Sequence, residues 1–168
     1  MGQFDALLKP LKLRNLVIRN RVMSTGHASG FGQDGNPGER YIRYHEEKAK
    51  GGVGLTIFGG SSSVAIDSPG YMRQLYLGDD GIVPHFQDFA ARVHRHGAAL
   101  MCQITHIGRK IGWDTGHWFP PMGPSRLHEP LHRSFPKEME DWDIKRTIKA
   151  FGTAALRCKQ GNLDGVQV

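Results

Sequence analysis

At 168 residues the chain has room for one domain with a core of its own. Its net charge of +6 is spread over short Lys/Arg pairs with no aromatic-interleaved basic stripe, which argues against a nucleic-acid surface; salt-dependent binding to generic DNA would reverse that reading. Two cysteines, Cys102 and Cys158, both in apolar segments, exclude a disulfide framework and read as buried free thiols in a reducing compartment. No apolar run reaches membrane-spanning length, and Met1–Asp5 lacks the basic-then-apolar layout of a signal peptide, so a cytoplasmic protein is expected.

Residues 11–20 alternate apolar and charged side chains around Asn15, which suits a small hairpin over one end of a larger sheet. Arg21–Thr25 reads as a short strand ending in the Gly-rich stretch 26–32. Asn36-Pro37-Gly38-Glu39 looks like a helix start, with Asn36 as cap, Pro37 in the first turn and Glu39 completing a capping box. The helix runs over Tyr41–Lys50 and stops at Gly51-Gly52. Val53–Phe58 is a second strand, punctuated by Gly59-Gly60.

Asp79-Asp80-Gly81 opens a second helix, with Ile82, Phe86, Phe89 and Val93 at helical spacing, and His96-Gly97 closes it. Ala98–Ile104 is the third strand. The loop at 110–136 holds most of the prolines together with Trp113 and Trp118, and loops of that length inside a domain usually serve function. Asp141 or Asp143 caps a third helix with Ile144, Ile148, Phe151 and Ala155 on one face, and a fourth strand starts at Leu163. Strands alternating with helices imply an α/β fold with a parallel sheet, about half of the eight strands of a (β/α)8 TIM barrel.

Gln103-Ile104-Thr105-His106-Ile107-Gly108-Arg109 lies where the third strand ends, the end at which such barrels keep their chemistry. Gln offers a donor and an acceptor, His either, and Arg a fixed cation, a set suited to a flat ligand rich in heteroatoms. The nine histidines show no metal-ligand spacing.

With Asn20-Arg21-Val22-Met23 upstream, this stretch resembles the Old Yellow Enzyme family of flavin oxidoreductases, over nearly the whole chain from Leu7 to Val168. The similarity is greatest to the branch holding trimethylamine and dimethylamine dehydrogenases, dienoyl-CoA reductases and N-methylproline demethylases. The resemblance implies FMN across the C-terminal mouth of a TIM barrel, met by Ser24, Thr25 and Gly26 after the first strand, Gly59 and Gly60 after the second, and Gln103 on the pyrimidine edge. Many members have Pro where this chain has Gly26. His27 matches a histidine of the amine-dehydrogenase branch; the next residue, Ala28, stands where trimethylamine dehydrogenase has a flavin-linked cysteine, so the FMN is expected to be non-covalent.

His106 and Arg109 match the His-x-Gly-Arg of the reductases. His27 and His106 are the catalytic candidates and Arg109 a cofactor contact. Trp113-Asp114-x-Gly116-x-Trp118-x-Pro120 and Phe135-Pro136-Lys137-x-x-x-Asp141-Trp142-Asp143 look like the demethylase subgroup, where the two indoles of Trp113 and Trp118 would face a methylated ammonium.

The implied activity is oxidation of an N-methyl amine such as N-methylproline to an iminium that water hydrolyses; the alternative is NAD(P)H-dependent reduction of an activated alkene. The resemblance places the second half of the barrel, the main phosphate loops and any 4Fe-4S cysteines beyond Val168. The chain alone is therefore expected to be inactive, a non-catalytic fragment whose open sheet edges favour self-association, with two copies closing one barrel as the limiting case.

Overall fold

The computed structural model describes residues 2–68, 73–111 and 119–168. A short helix α1 (Asp5–Leu8) leads into the antiparallel hairpin β1 (Leu11–Leu13) and β2 (Leu16–Ile18). Next come β3 (Met23–Ser24), the two-residue pair β4 (Gly32–Gln33) and β5 (Asn36–Pro37), and α2 (Glu39–Lys50). Then follow β6 (Leu55–Ser63), α3 (Ile82–His94) and β7 (Ala99–Thr105). The small parallel pair β8 (Met122–Gly123) and β9 (Lys137–Glu138) precedes α4 (Asp141–Gln160) and β10 (Gly165–Gln167).

The main sheet is parallel, with the spatial order β3, β6, β7, β10 following the chain order. Its two faces are distinct because side chains alternate along each strand. Phe58, Leu100 and Cys102 point to the helices and join Tyr41, Phe86, Phe89 and Cys158 in the larger core. Leu55, Ile57, Ala99 and Met101 point the other way, where Ile18, Leu11 and Leu16 of the hairpin cover them. The sheet is thus the N-terminal half of a TIM barrel, helices outside and the hairpin closing the interior at the strands' starting end.

Arg19, just past the hairpin, fastens that end. Its guanidinium donates to the carbonyl oxygens of Ala49 (2.6 Å), Val53 (2.9 Å) and His96 (2.7 Å), acceptors at or beyond the ends of α2 and α3. These carbonyls have few partners of their own, and a fixed cation suits the negative end of a helix.

Four expectations need correction. Asn36 does not cap α2: Asp34 and Gly35 both take positive φ (49° and 77°), the turn pairs Asn36–Pro37 with Gly32–Gln33, and Gly38 becomes the cap while Glu39 binds Arg43 and Arg92. The second strand does not end at Phe58 but runs to Ser63. From Phe58 to Ser62 β6 advances four residues while β7 advances two, Cys102 to Ile104, and Gly59 (φ 110°) and Gly60 (φ 64°) absorb the excess as a bulge. Neither Asp141 nor Asp143 is the cap of α4; Glu140 is, in a reciprocal box with Asp143. Of the expected face of α4, Phe151 and Ala155 pack against the larger core beside the buried Ala154 and Cys158, whereas Ile144 and Ile148 are exposed (66% for Ile148).

The first strand is also shorter than expected, and the loop at 110–136 contains β8 and a turn bridged from Glu129 to Ser134. Both cysteines are buried and free. Among the described residues no helix is long and apolar enough to cross a membrane.

Candidate functional site

The strands β3, β6 and β7 end on one side, and their ends converge. Gln103 is two residues beyond Met101 and shares its inward face. A Cβ added to Gly26 would lie 3.0 Å from Gln103 Oε1 and 3.2 Å from its Cβ, so the missing side chain makes room for the amide. A Cβ on Gly59 would lie 2.5 Å from the Gln103 carbonyl oxygen, and one on Gly60 would lie 2.2 Å from the His27 carbonyl carbon. The segment 26–28, the β6 bulge and Gln103 therefore meet with no space for side chains between them. Gln103 Nε2 donates to Gln167 Oε1 at 3.0 Å; Gln103 Oε1 has no partner among the described residues.

His27 stands at the rim of this cluster. Its Nδ1 lies 3.5 Å from the Thr25 carbonyl oxygen, and its Nε2 and the Tyr44 hydroxyl share a hydrogen bond at 2.9 Å, so both ring nitrogens are held. Thr25 is exposed beside it. Ser24 faces outward: it pairs with Thr56, both point to α2, and its hydroxyl accepts from Lys48 Nζ at 2.9 Å. Only the Ser24 backbone is free to serve the mouth.

Behind the same stretch of β6, Tyr41 and His45 of α2 are completely buried. The Tyr41 hydroxyl accepts from Gly59 N–H at 3.0 Å and so holds the bulge; burial pushes its pKa up. His45 Nδ1 bonds Thr56 Oγ1 at 3.0 Å, and burial, with Lys48 and His27 adding to it, pushes its pKa down to about 3.

His106 is placed differently from Gln103. Its Nδ1 accepts from Gly108 N–H at 3.2 Å, so the proton sits on Nε2, which faces Asp67 Oδ1 at 3.6 Å. Asp67 is clamped by both Nη atoms of Arg146 on α4, at 3.1 and 2.5 Å. Burial alone would raise the Asp67 pKa, but the bonds from His106 and Arg146 overcome it and hold the carboxyl well below its usual range. Arg109 reaches the Leu127 carbonyl at 3.3 Å, and its own carbonyl accepts from the Ser134 hydroxyl. The structure brings together Gly26, His27, Gly59, Gly60 and Gln103; it turns His106 toward α4 and ties Arg109 to the 127–134 turn. Trp113 and Trp118 lie outside the described residues.

Two features were not legible as site residues. Gln167 joins Gln103 through strand register alone, Gln103 opposite Gln167. The hydroxyl of Ser29 is buried with no partner among the described residues, next to the segment over Gly60, whereas Ser62 turns to the helix side with Ile104 and has the Cys102 thiol beside it. Orphaned buried hydroxyls are rare and mark places where a polar ligand would complete the bonding. With a cradle of glycines and a free amide oxygen, the mouth fits a flat ring with donors and acceptors along one edge, as the isoalloxazine of FMN has. Among the described residues no three His, Cys, Asp or Glu side chains gather to hold a metal.

A half-barrel with such a mouth has room at its strand ends for a flat, heteroatom-rich ligand. Comparison with known proteins agrees: residues 6–168 match the NADH:flavin oxidoreductase / NADH oxidase family, and the chain belongs to it. A multifunctional alkene reductase/demethylase, OYE, of Caballeronia cordobensis is 55% identical over 163 residues, 97% of this chain and 24% of that protein. A probable N-methylproline demethylase of Rhizobium meliloti is 46% identical over 164 residues, 98% of this chain and 24% of the relative. Among solved structures, a 2-naphthoyl-CoA reductase in complex with 2-naphthoyl-CoA matches with a TM-score of 0.87 at 29% identity, over 97% of this chain and 27% of that one. The chain thus spans about a quarter of the length of the curated relatives it matches.

Proposed function

We propose that the chain is the flavin-binding N-terminal half of the barrel of an FMN-dependent oxidoreductase whose whole form demethylates an N-methyl amine such as N-methylproline. The convergence of Gly26, Gly59, Gly60 and Gln103, with an acceptor left free, is the observation that carries this reading. When bound, FMN supplies the two-electron acceptor, and the protein's part is position and environment. The glycines let backbone approach the ring. Gln103 bonds its pyrimidine edge, and the backbone of Ser24, Thr25 and Gly26 lines the adjoining wall. Ser29 offers a hydroxyl that lacks a partner among the described residues.

His27, oriented by Tyr44 and Thr25, is the group at the rim able to exchange a proton with a substrate. His106 keeps its proton on Nε2 against Asp67 and serves as a catalytic group only if it moves away from that partner. Arg109 adds positive charge, and Trp113 and Trp118 provide aromatic faces for a methylated ammonium. Support for the substrate class comes from the names of the 46% and 55% identical relatives.

A second reading, NAD(P)H-dependent reduction of an activated alkene, is favoured by the alkene reductase in the name of the 55% relative. The isolated chain is a candidate for self-association. Among the described residues β3 and β10 are the edge strands of the sheet, and an open groove between the hairpin turn and β10, lined by Lys12, Arg14, Asn15 and Asp164 as well as Leu16 and Met101, leaves part of the inward face reachable.

The test is size-exclusion chromatography of the chain after incubation with FMN, followed at protein and flavin wavelengths. Flavin co-eluting with a dimer-sized peak supports both the cofactor and the paired half-barrels. A folded monomer without flavin refutes self-association and flavin binding by this half alone. Turnover of N-methylproline by the chain would overturn its proposed inactivity.

A further inference from the structure

Gln103 lies on the inward face of β7, two residues before the strand ends at Thr105, and Gln167 lies directly opposite it on β10 in the parallel register. The two side chains are joined by one hydrogen bond, Gln103 Nε2–H to Gln167 Oε1, at 3.0 Å. On its other side, Gln103 Oε1 lies against Gly26, where even a Cβ would approach within 3.0 Å. A primary amide can present itself two ways round, and the two ways are opposite in meaning to a ligand edge that alternates donors and acceptors. An amide free to rotate would also lose side-chain entropy on binding. Here one N–H is already engaged by a carbonyl oxygen, so the amide oxygen must face the other way.

We infer that Gln167 is a positioning residue for Gln103: its side-chain oxygen holds one N–H of the Gln103 amide and thereby sets which way round that amide meets the cofactor edge. The inference rests on the flavin reading of the mouth and adds to it a residue that touches the ring only through Gln103. Removal of the Gln167 side chain leaves Gln103 able to swing and to offer the wrong atom.

The experiment is a double-mutant cycle on FMN affinity, read by quenching of flavin fluorescence, with Q167L, Q103A and the double variant. Thermal melting of each apo-protein checks the fold. Q167L is expected to weaken FMN binding about 5-fold, the weight of one net hydrogen bond, and to have no further effect once Gln103 is alanine. An unchanged affinity in Q167L, or an equal loss in the Q103A background, overturns the assignment. If the wild-type chain takes up no FMN, the flavin reading of this half falls, and the side-chain amide spectrum of the apo-protein still decides the pair. Gln103 amide resonances that shift in Q167L support the bond, and unchanged ones overturn it.

Discussion

Lowering the pH from 7 to 5 should destabilise the chain through His45. Its ring is fully buried among Tyr41, Phe58 and Phe89, bonded to Thr56, and its Nε2 has no partner. The folded protein keeps it neutral down to about pH 3, whereas in the unfolded chain it titrates at its ordinary value of 6.5. Because the folded value is depressed, the stabilisation is complete above pH 6.5 and is lost as the pH falls, since only the unfolded chain takes up the proton. At ~1.4 kcal/mol per pH unit over the 1.5 units from 6.5 to 5, the loss is ~2 kcal/mol. Carboxylates contribute little in that window because their unfolded values lie near 4. Urea unfolding at pH 7 and pH 5 should show the loss in the wild type, reduced by ~2 kcal/mol in His45→Gln, so other histidines cancel in the comparison. Equal pH sensitivity in the two proteins would refute the argument that a neutral, buried ring carries this dependence.

Gly60→Ala should cost at least about 2 kcal/mol, from its φ of 64° and the 2.2 Å approach to His27, and should abolish FMN uptake; a melting temperature equal to wild type would contradict the close approach. Arg19→Met removes the bonds to Ala49, Val53 and His96 and is expected to lower the urea-unfolding free energy by about 3 kcal/mol. Asp67→Asn should destabilise by about 1–2 kcal/mol at pH 7, less than a fully buried pair because Arg146 is partly exposed. The Asp67 carboxyl stabilises the fold above its unfolded value of 3.8 and loses that effect as the pH falls, so the Asn variant should show a shallower decline between pH 4 and pH 2 in circular dichroism titrations.

The parallel alternation of strands and helices was legible because each strand is a short apolar run bounded by Gly and each of α2 and α3 has apolar residues at helical spacing. The misreadings share a cause: a local signal with two physical meanings. Asn36-Pro37-Gly38 suits a helix start, but Asp34-Gly35 before it suits a two-residue turn, and the turn prevailed. Gly59-Gly60 reads as the end of a strand; only pairing across to β7 shows that the strand resumes. The stripe on α4 has helical period, yet period does not say which side has a neighbour.

At the site, Gln103 and the glycines stood out through residue type and their place at strand ends. The company kept by His106 could not be read, because Asp67 and Arg146 are remote in sequence and meet it only after α4 has docked. Gln167 was hidden for a similar reason: a glutamine near the end of a strand gains meaning from the strand next to it.

The spatial order of the main sheet repeats the order of synthesis. Each strand finds its partner in the strand made just before it, across a single long helix. A chain leaving the ribosome can therefore add one strand-and-helix unit at a time to structure already formed, with Arg19 in place to lock α2 and α3 as soon as His96 has emerged. During that growth the unpaired edge advances from β6 to β7 to β10, and the segment at risk of pairing with a stranger is always the newest one.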